Sequence, residues 1–425
     1  MSVAKQSGSR CGSTYVLILG LSALVMTMAV GAIAVARIQA RHGQTTQDVA
    51  HARLYAGAAI EMGRFLIKSD SDWRDHYPNG VWGTDVTFGA GAGTLEVIDP
   101  NDGDLTNDDL HPVVLTGTGT KALAVRKTRV TLLARAEGYG CLETALFAAN
   151  DLNLNSCTVQ CDGILGANNS INASGADVYA DAEAANDCNG STYHGMATAG
   201  VDDRSMPDED DVFDTYESQG VVIPPWAIPW ADGALFVDEV IFSPGHNPYW
   251  PYTTSANGVY VIDCAGSDVC IRDCRIVGTI VLRKAGSGTR IQQAVNWKPA
   301  VAHYPALLVE GSLAFRENGG ALDEDMENEN YNPAHTPYDG HSDNDQRDQY
   351  PSRIEGLIYV ANNAVAGAGV HTVHGVIVVG NSFTAEPGAV LNLRHDTQYV
   401  TNPPTAFRER VLMEVAPGSW QRVVD

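Results

Sequence analysis

Basic residues are scarce in this 425-residue chain, with 27 Lys and Arg set against 51 Asp and Glu and a formal net charge of −24. A surface of that sign repels nucleic acid phosphates and anionic lipid headgroups, which argues against nucleic acid as a partner. Three chemical signatures are also missing: a nucleotide-binding glycine loop, a G-x-S-x-G elbow and an H-E-x-x-H pair. Their absence removes the sequence grounds for nucleotide, α/β-hydrolase or zincin chemistry. Long apolar runs are absent as well, with one exception near the N-terminus.

What is present is enough to build a core. The hydrophobic share is 44%, and the length suits two or three domains, so disorder is not the expectation. The 42 glycines share their stretches with Asn, Asp and Thr, a mixture that favours tight turns over long helices and points to a β-rich body.

The exceptional run covers residues 15–35, YVLILGLSALVMTMAVGAIAV, and carries no charge. Its length matches the roughly 20 residues a helix needs to cross hydrocarbon. Lys5 and Arg10 before it place the N-terminus in the cytoplasm, while Arg37 and Arg41 after it pull the other way. A secretory signal would have a shorter apolar core and a small-residue cleavage site, for which Ala34-Val35-Ala36 offers itself. A plain membrane anchor explains the run equally simply. Residues 36–67 contain no proline and repeat Ala, Leu, Ile and Met at steps of three and four, so the helix is expected to continue past the membrane for about 55 residues, roughly 80 Å in all.

Arg10-Cys11-Gly12, followed at once by Ser13-Thr14-Tyr15-Val16-Leu17-Ile18-Leu19, resembles the leader junction of type IV pilin-like proteins. The stretch Ala52-Arg53-Leu54-Tyr55-Ala56-Gly57-Ala58-Ala59-Ile60-Glu61 resembles the second half of the long helix in their PilX/PulK-type minor components. The resemblance implies a prepilin peptidase cutting between Gly12 and Ser13, and partnership with other pilin-like subunits through the helix. It also implies a single pass through the cytoplasmic (inner) membrane, with an extracytoplasmic C-terminal body. Most of the family carry Glu at the fifth mature residue, which is Leu17 in this chain; the PilX/PulK type tolerates its absence.

Residues 69–140 are expected to form a pilin-like α+β head. Thr94-Leu95-Glu96-Val97-Ile98 alternates as a strand before the turn Asp99-Pro100-Asn101-Asp102-Gly103, and further alternating strands lie at 113–118 and 125–136. The tract Trp73-Arg74-Asp75-His76-Tyr77-Pro78-Asn79-Gly80-Val81-Trp82 resembles segments of PilX-like prepilins. Asp99, Asp102, Asp104, Asp108 and Asp109 supply hard oxygens suited to calcium. The loop lacks the Glu twelve residues after the first Asp that an EF-hand needs, so solvated turn carboxylates are the simpler reading.

From residue 141 to 425, apolar runs of three to five residues alternate with Gly, Asn and Asp turns. This is the pattern of an all-β, right-handed parallel β-helix, with a β-sandwich as the alternative. Two stretches break it, at about 202–257 and 318–353; both are acid-rich, and loops of such length are usually functional or disordered. His371 and His374 read as a strand edge.

Seven of the eight cysteines fall between Cys141 and Cys274, and Cys11 stands alone. Outside the cytoplasm disulfides are permitted, with Cys157, Cys161, Cys264, Cys270 and Cys274 as candidates; small apolar packing is the competing role, and zinc fits their spacing poorly. No metal and no catalytic residue is assigned. Since parallel β-helices also host polysaccharide-cleaving enzymes, Asp268, Asp273 and Arg272 stand as the carboxylates and base of that alternative. A structural envelope protein is a second one. The sequence therefore predicts residues 1–12 as leader, 13–68 as transmembrane and amphipathic helix, and a non-enzymatic body for pilus-type or secretion-type assembly, with an adhesive or interaction surface.

Overall fold

Helix α1 (Cys11–Ser69) runs for 59 residues without interruption, about 88 Å at the usual helical rise. No proline occurs in it, and its Leu, Met and Ala residues are strong helix formers. The computed structural model describes residues 11–190 and 192–424. Residues 1–10 of the expected leader lie outside that range, and the processing pair Gly12 and Ser13 falls in the first turn of α1.

The chain divides into two units, one made of the residues up to Arg135 together with Leu412–Asp425, the other of Ala136–Val411. In the first unit α1 is followed by an antiparallel meander, β1 (Gly80–Phe88), β2 (Gly91–Ile98), β3 (Val113–Lys121) and β4 (Ala124–Gly138). Leu95, Val97, Val113, Leu115, Val130 and Leu132 are buried and form one core with Ala59, Ile60 and Ile67 of α1 and with Trp73. Their period-2 spacing along each strand turns one face of the sheet onto the helix.

The sheet continues past β4 to the strand Arg408–Val415, and Gln421–Val423 also pairs with β4. The body expected to span 141–425 therefore ends earlier, and the final residues complete the first unit. Edge pairing is a long-range choice that short alternating strands do not announce.

The second unit holds a 22-stranded sheet. Its first strands are β5 (Leu146–Ala148), β6 (Leu152–Asn155), β7 (Thr158–Ala167), β8 (Ser170–Ser174) and β9 (Asp177–Ala184). Each pairs in parallel with the strand two places on: β5 with β7, β6 with β8, β7 with β9. The step is visible in side chains, since the Asn172 amide donates to Asn153 Oδ1, nineteen residues back, at 3.1 Å. Parallel pairing is the rule, the hairpin of Trp230–Ala231 with Ala234–Asp238 being antiparallel, so the ladders are not those of an antiparallel sandwich. Buried Leu152, Leu154, Val159, Leu165, Ile171 and Val178 belong to one core with residues as distant as Leu393.

Further strands include β10 (Asp268–Val277), β11 (Arg353–Val360), β12 (Gly369–Val379) and β13 (Ala389–His395). β11 pairs with β12, β12 with β13, and β13 with β7, all parallel. β12 pairs also with β5. The earliest strands of the unit thus lie between its last strands and β9, an order in space that does not follow the order in sequence.

The stretch at 202–257, expected to interrupt the strand pattern, joins it. Helix α2 (Glu209–Gln219) starts at Asp208, whose carboxylate accepts from the Asp210 and Asp211 amides at 3.0 and 3.3 Å, and its first turn is acidic, as a helix N-terminus favours. Val212, Phe213 and Tyr216 are buried. Beyond it Val221–Ile223 and Ala234–Asp238 pair in parallel with Val259–Asp263 and β10.

Candidate functional site

The apolar half of α1 is the most distinctive surface of the molecule. Every described residue from 14 to 47 is exposed, including Leu17 (68%), Leu24 (57%) and Met28 (68%). The helix meets the length and hydropathy required of a membrane span, with a mean hydropathy of 2.4 and none of the apolar window buried. Water would charge this face heavily, at about 25 cal/mol per Å² of apolar surface. Two of its hydroxyls are already served: Ser22 Oγ donates to the Ile18 carbonyl and Thr27 Oγ1 to that of Leu24, both at 2.8 Å. Neither would be left unsatisfied in hydrocarbon. The side chains at the expected cleavage site are outside the described residues.

The far half of the same helix is built for contact. Ala52, Ala56, Ala59 and Ile60 are fully buried, and β3 meets them with glycines. A Cβ on Gly117 would sit 2.0 Å from the Ala56 carbonyl oxygen, and one on Gly119 2.0 Å from that of Ala52. Side chains are thereby excluded, and the helix lies almost directly on the strand.

The acidic loop after β2 is closed by hydrogen bonds. Asp99, 2% exposed, accepts from the Asn101 amide at 2.7 Å and from His111 Nδ1 at 3.0 Å. Asp104 accepts from Thr106, and Asp108 from the Leu110 amide. Arg74 donates to the carbonyls of Leu105, Asp109 and His111. Asp99, Asp102 and His111 place ligand atoms within 4.8 Å of one another. One imidazole with two carboxylates is not the all-oxygen set calcium prefers.

The seven cysteines from Cys141 to Cys274 carry free thiols, and among the described residues no disulfide joins any of them. Cys157, Cys264 and Cys274 pack in the main core of the second unit, with Cys161 against it, and Cys270 is buried with Ala234 and Phe236. The small-apolar role is the one the structure displays, and backbone carbonyls absorb several thiols: Cys274 Sγ donates to Arg272 O at 2.8 Å, Cys264 Sγ to Ile262 O at 3.5 Å. Burial pushes Cys157 and Cys161 up to about 11 and Cys264 to about 12, so all three are thiols at neutral pH.

Of the residues weighed for sugar cleavage, Asp268 accepts from the Gly288 amide at 2.8 Å. Arg272 is engaged by both oxygens of Asp238 and lies 3.9 Å from Asp273. Asp273 is 3% exposed; burial and then the charge of Glu327 push it up to about 6. His374 is not on a strand edge, being paired with Glu355 on one side and Arg394 on the other; His371 pairs with Leu391, and its ring is buried against Glu317.

Sequence reasoning passed over two keystones of the 318–353 stretch. Glu324 is fully buried; its Oε1 accepts from the Tyr331 amide and the Tyr350 hydroxyl, and its Oε2 from the Arg347 and Asp348 amides. Arg275, 1% exposed, donates to the carbonyls of Tyr331, Thr336 and Pro337. Arg275 is hidden by its distance in sequence from the loop it holds, and Glu324 by the Asp and Glu residues that crowd around it.

No protein-family model matches the chain, and no curated protein does. Among solved structures the chain is similar to the competence-associated pilin ComZ from Thermus thermophilus. The two are 13% identical over 89% of this chain and 98% of that one, with a TM-score of 0.37. A likeness at that level carries no weight beyond the geometry already described.

Proposed function

We propose that the chain is a membrane-anchored minor component of a type IV pilus or of a related secretion assembly, of the PilX/PulK kind, with no catalytic task. In this reading α1 is held in the cytoplasmic membrane after prepilin peptidase removes residues 1–12, and its exposed apolar face packs beside the helices of other pilin-like subunits. The first unit is the head that steadies the helix. The second unit is a right-handed parallel β-helix, displayed outside the cytoplasm for adhesion or assembly.

One observation carries the reading: a single unbroken helix is wholly bare over its apolar half and buried over its Ala-rich half against the glycines of β3. A cleaved secretory signal has no need of that continuity. The deciding experiment is the mature N-terminus, read by mass spectrometry from cells with an active prepilin peptidase. A chain beginning at Ser13 and retained in membranes after alkaline carbonate is expected. An intact leader, or a chain beginning beyond Ala36, would overturn the proposal.

A further inference from the structure

Across the second unit, three recesses of about 690, 310 and 550 Å³ share their walls. Asp162 and Tyr179 border the first and second, His374 and Arg394 the first and third. Together they make one open groove that runs across β9, β7, β13, β12 and β11, at right angles to the strands. Those five strands include the junction at which the earliest strands of the unit meet the latest.

Strand register sets the groove out in two rows. Asn392 pairs with Gln160 and Gln160 with Tyr179. Two residues further along, Glu355 pairs with His374 and His374 with Arg394, which in turn lies 3.9 Å from Asp162. Since residues two apart on a strand share a face, both rows point into the same channel. Tyr179 stands at one end, 47% exposed, with the His194 ring stacked on it at 4.0 Å and an interplanar angle of 2°.

We propose that this groove binds an uncharged, extended oligosaccharide laid across the strands, with Tyr179 as its stacking platform. Strands repeat at about 4.8 Å, close to the length of one sugar ring in an extended chain, so that each strand offers its polar side chains to one ring. An open recess that crosses five strands suits an elongated polymer better than a compact ligand. The flat C–H face of a pyranose complements an exposed phenol, and carboxamides such as Gln160 and Asn392 complement hydroxyls as both donor and acceptor.

The alternatives fit less well. Asp162, Asp181, Glu355 and Asp396 outnumber Arg394 and Lys298 on the walls, and burial lowers His374 so that it is neutral at pH 7. A polyanion is therefore disfavoured. A peptide strand would need free backbone partners, which the ladders on both sides of each strand have already consumed. The proposal rests on reading the second unit as a displayed body, and it supplies the chemical class that body would recognise.

The test is calorimetric titration of the full chain, held in a detergent without a sugar headgroup. The probes are chitohexaose, cellohexaose and mannohexaose, the corresponding disaccharides, and hexagalacturonate. Saturable binding of a neutral hexasaccharide with a Kd below about 1 mM is expected, at least about tenfold tighter than its disaccharide. Tyr179→Ala and Gln160→Ala, both at exposed positions, are each expected to weaken binding about tenfold with unchanged melting temperature. The proposal is overturned if no neutral hexasaccharide saturates, if hexagalacturonate binds more tightly, or if Tyr179→Ala binds as well as the native chain. Binding in detergent requires no filament, so mass spectrometry of the same preparation separates failure of the groove from failure of the anchor.

Discussion

Nδ1 of His371 lies 2.6 Å from Oε2 of Glu317, and the two side chains are only 2% and 1% exposed. The other ring nitrogen lies 2.9 Å from the Gly367 carbonyl oxygen, so both nitrogens face acceptors, the arrangement of a charged imidazolium. Burial opposes that charge, but the hydrogen bond and charge of Glu317 and the Gly367 carbonyl outweigh it and raise the His371 pKa. Burial raises Glu317 as well, against the pull of His371.

Removing one partner leaves the other charge buried alone. Glu317→Ala or His371→Ala is expected to cost about 3–5 kcal/mol, read as a lowered melting temperature of the full chain in detergent. The pH dependence has a definite sign. Both groups bind protons more tightly in the folded state, so the stability they contribute is complete below their ordinary values and fades as pH climbs through the raised ones. Against a chain carrying both His371→Gln and Glu317→Gln, which titrates at neither position, the native chain should lose its advantage as pH rises above the ordinary histidine value of about 6.5. A difference that stays level above that value would contradict the charged ring.

Gly119 has no room for a methyl group. Its Cβ would lie 2.0 Å from Ala52 O and 2.4 Å from Ala56 N, both backbone atoms that cannot rotate away. Gly119→Ala should destabilise the first unit by about 1–3 kcal/mol through overpacking. Gly57→Ala, on the same helix but with nothing within 4 Å of its Cβ position, should be neutral or stabilise by up to about 1 kcal/mol. Melting curves that rank the two the other way would show that the helix does not rest on β3.

The 318–353 segment hangs on Glu324 and Arg275. Glu324→Ala removes the acceptor for four donors, two of them fully buried, a local loss of about 3 kcal/mol or more. Limited proteolysis should then cut within 325–348 on the order of 100-fold faster, while the parallel ladders stay protected. Unchanged cleavage would mean that this segment is held by other contacts.

Thiol labelling follows burial. Cys161 and Cys188 are half-buried and should react first, whereas Cys141, Cys157, Cys264, Cys270 and Cys274 should react only once the chain unfolds. The total, counted in denaturant, should be the same with and without prior reduction. A count that rises on reduction would reveal bridges absent from this conformation.

Much of this architecture is legible in the residues themselves. The helix is written in a charge-free run that passes without proline into an Ala-rich stretch with apolar residues at steps of three and four, and the short strands in Leu-Asn-Leu-Asn and similar alternations between Gly and Asn turns. Other features depend on partners remote in sequence. Nothing around Arg275 signals that it will hold carbonyls near residue 336, nor around His371 that a carboxylate waits at Glu317. Acid density disguised α2, whose Val212, Phe213 and Tyr216 are a buried face of only three residues within a charged run. The groove was invisible for the same reason, because it exists only where β13 meets β7.

The return of Arg408–Val415 and Gln421–Val423 to the sheet of the first unit sets an order on biosynthesis. While the ribosome is still delivering the parallel ladders, the four-stranded meander beside α1 waits with β4 as an unpaired edge. Translation must pass through all of 136–411 before that edge can be capped. Chains released early would therefore carry an intact apolar helix together with an unfinished sheet, whose open edge is a template for pairing with other chains.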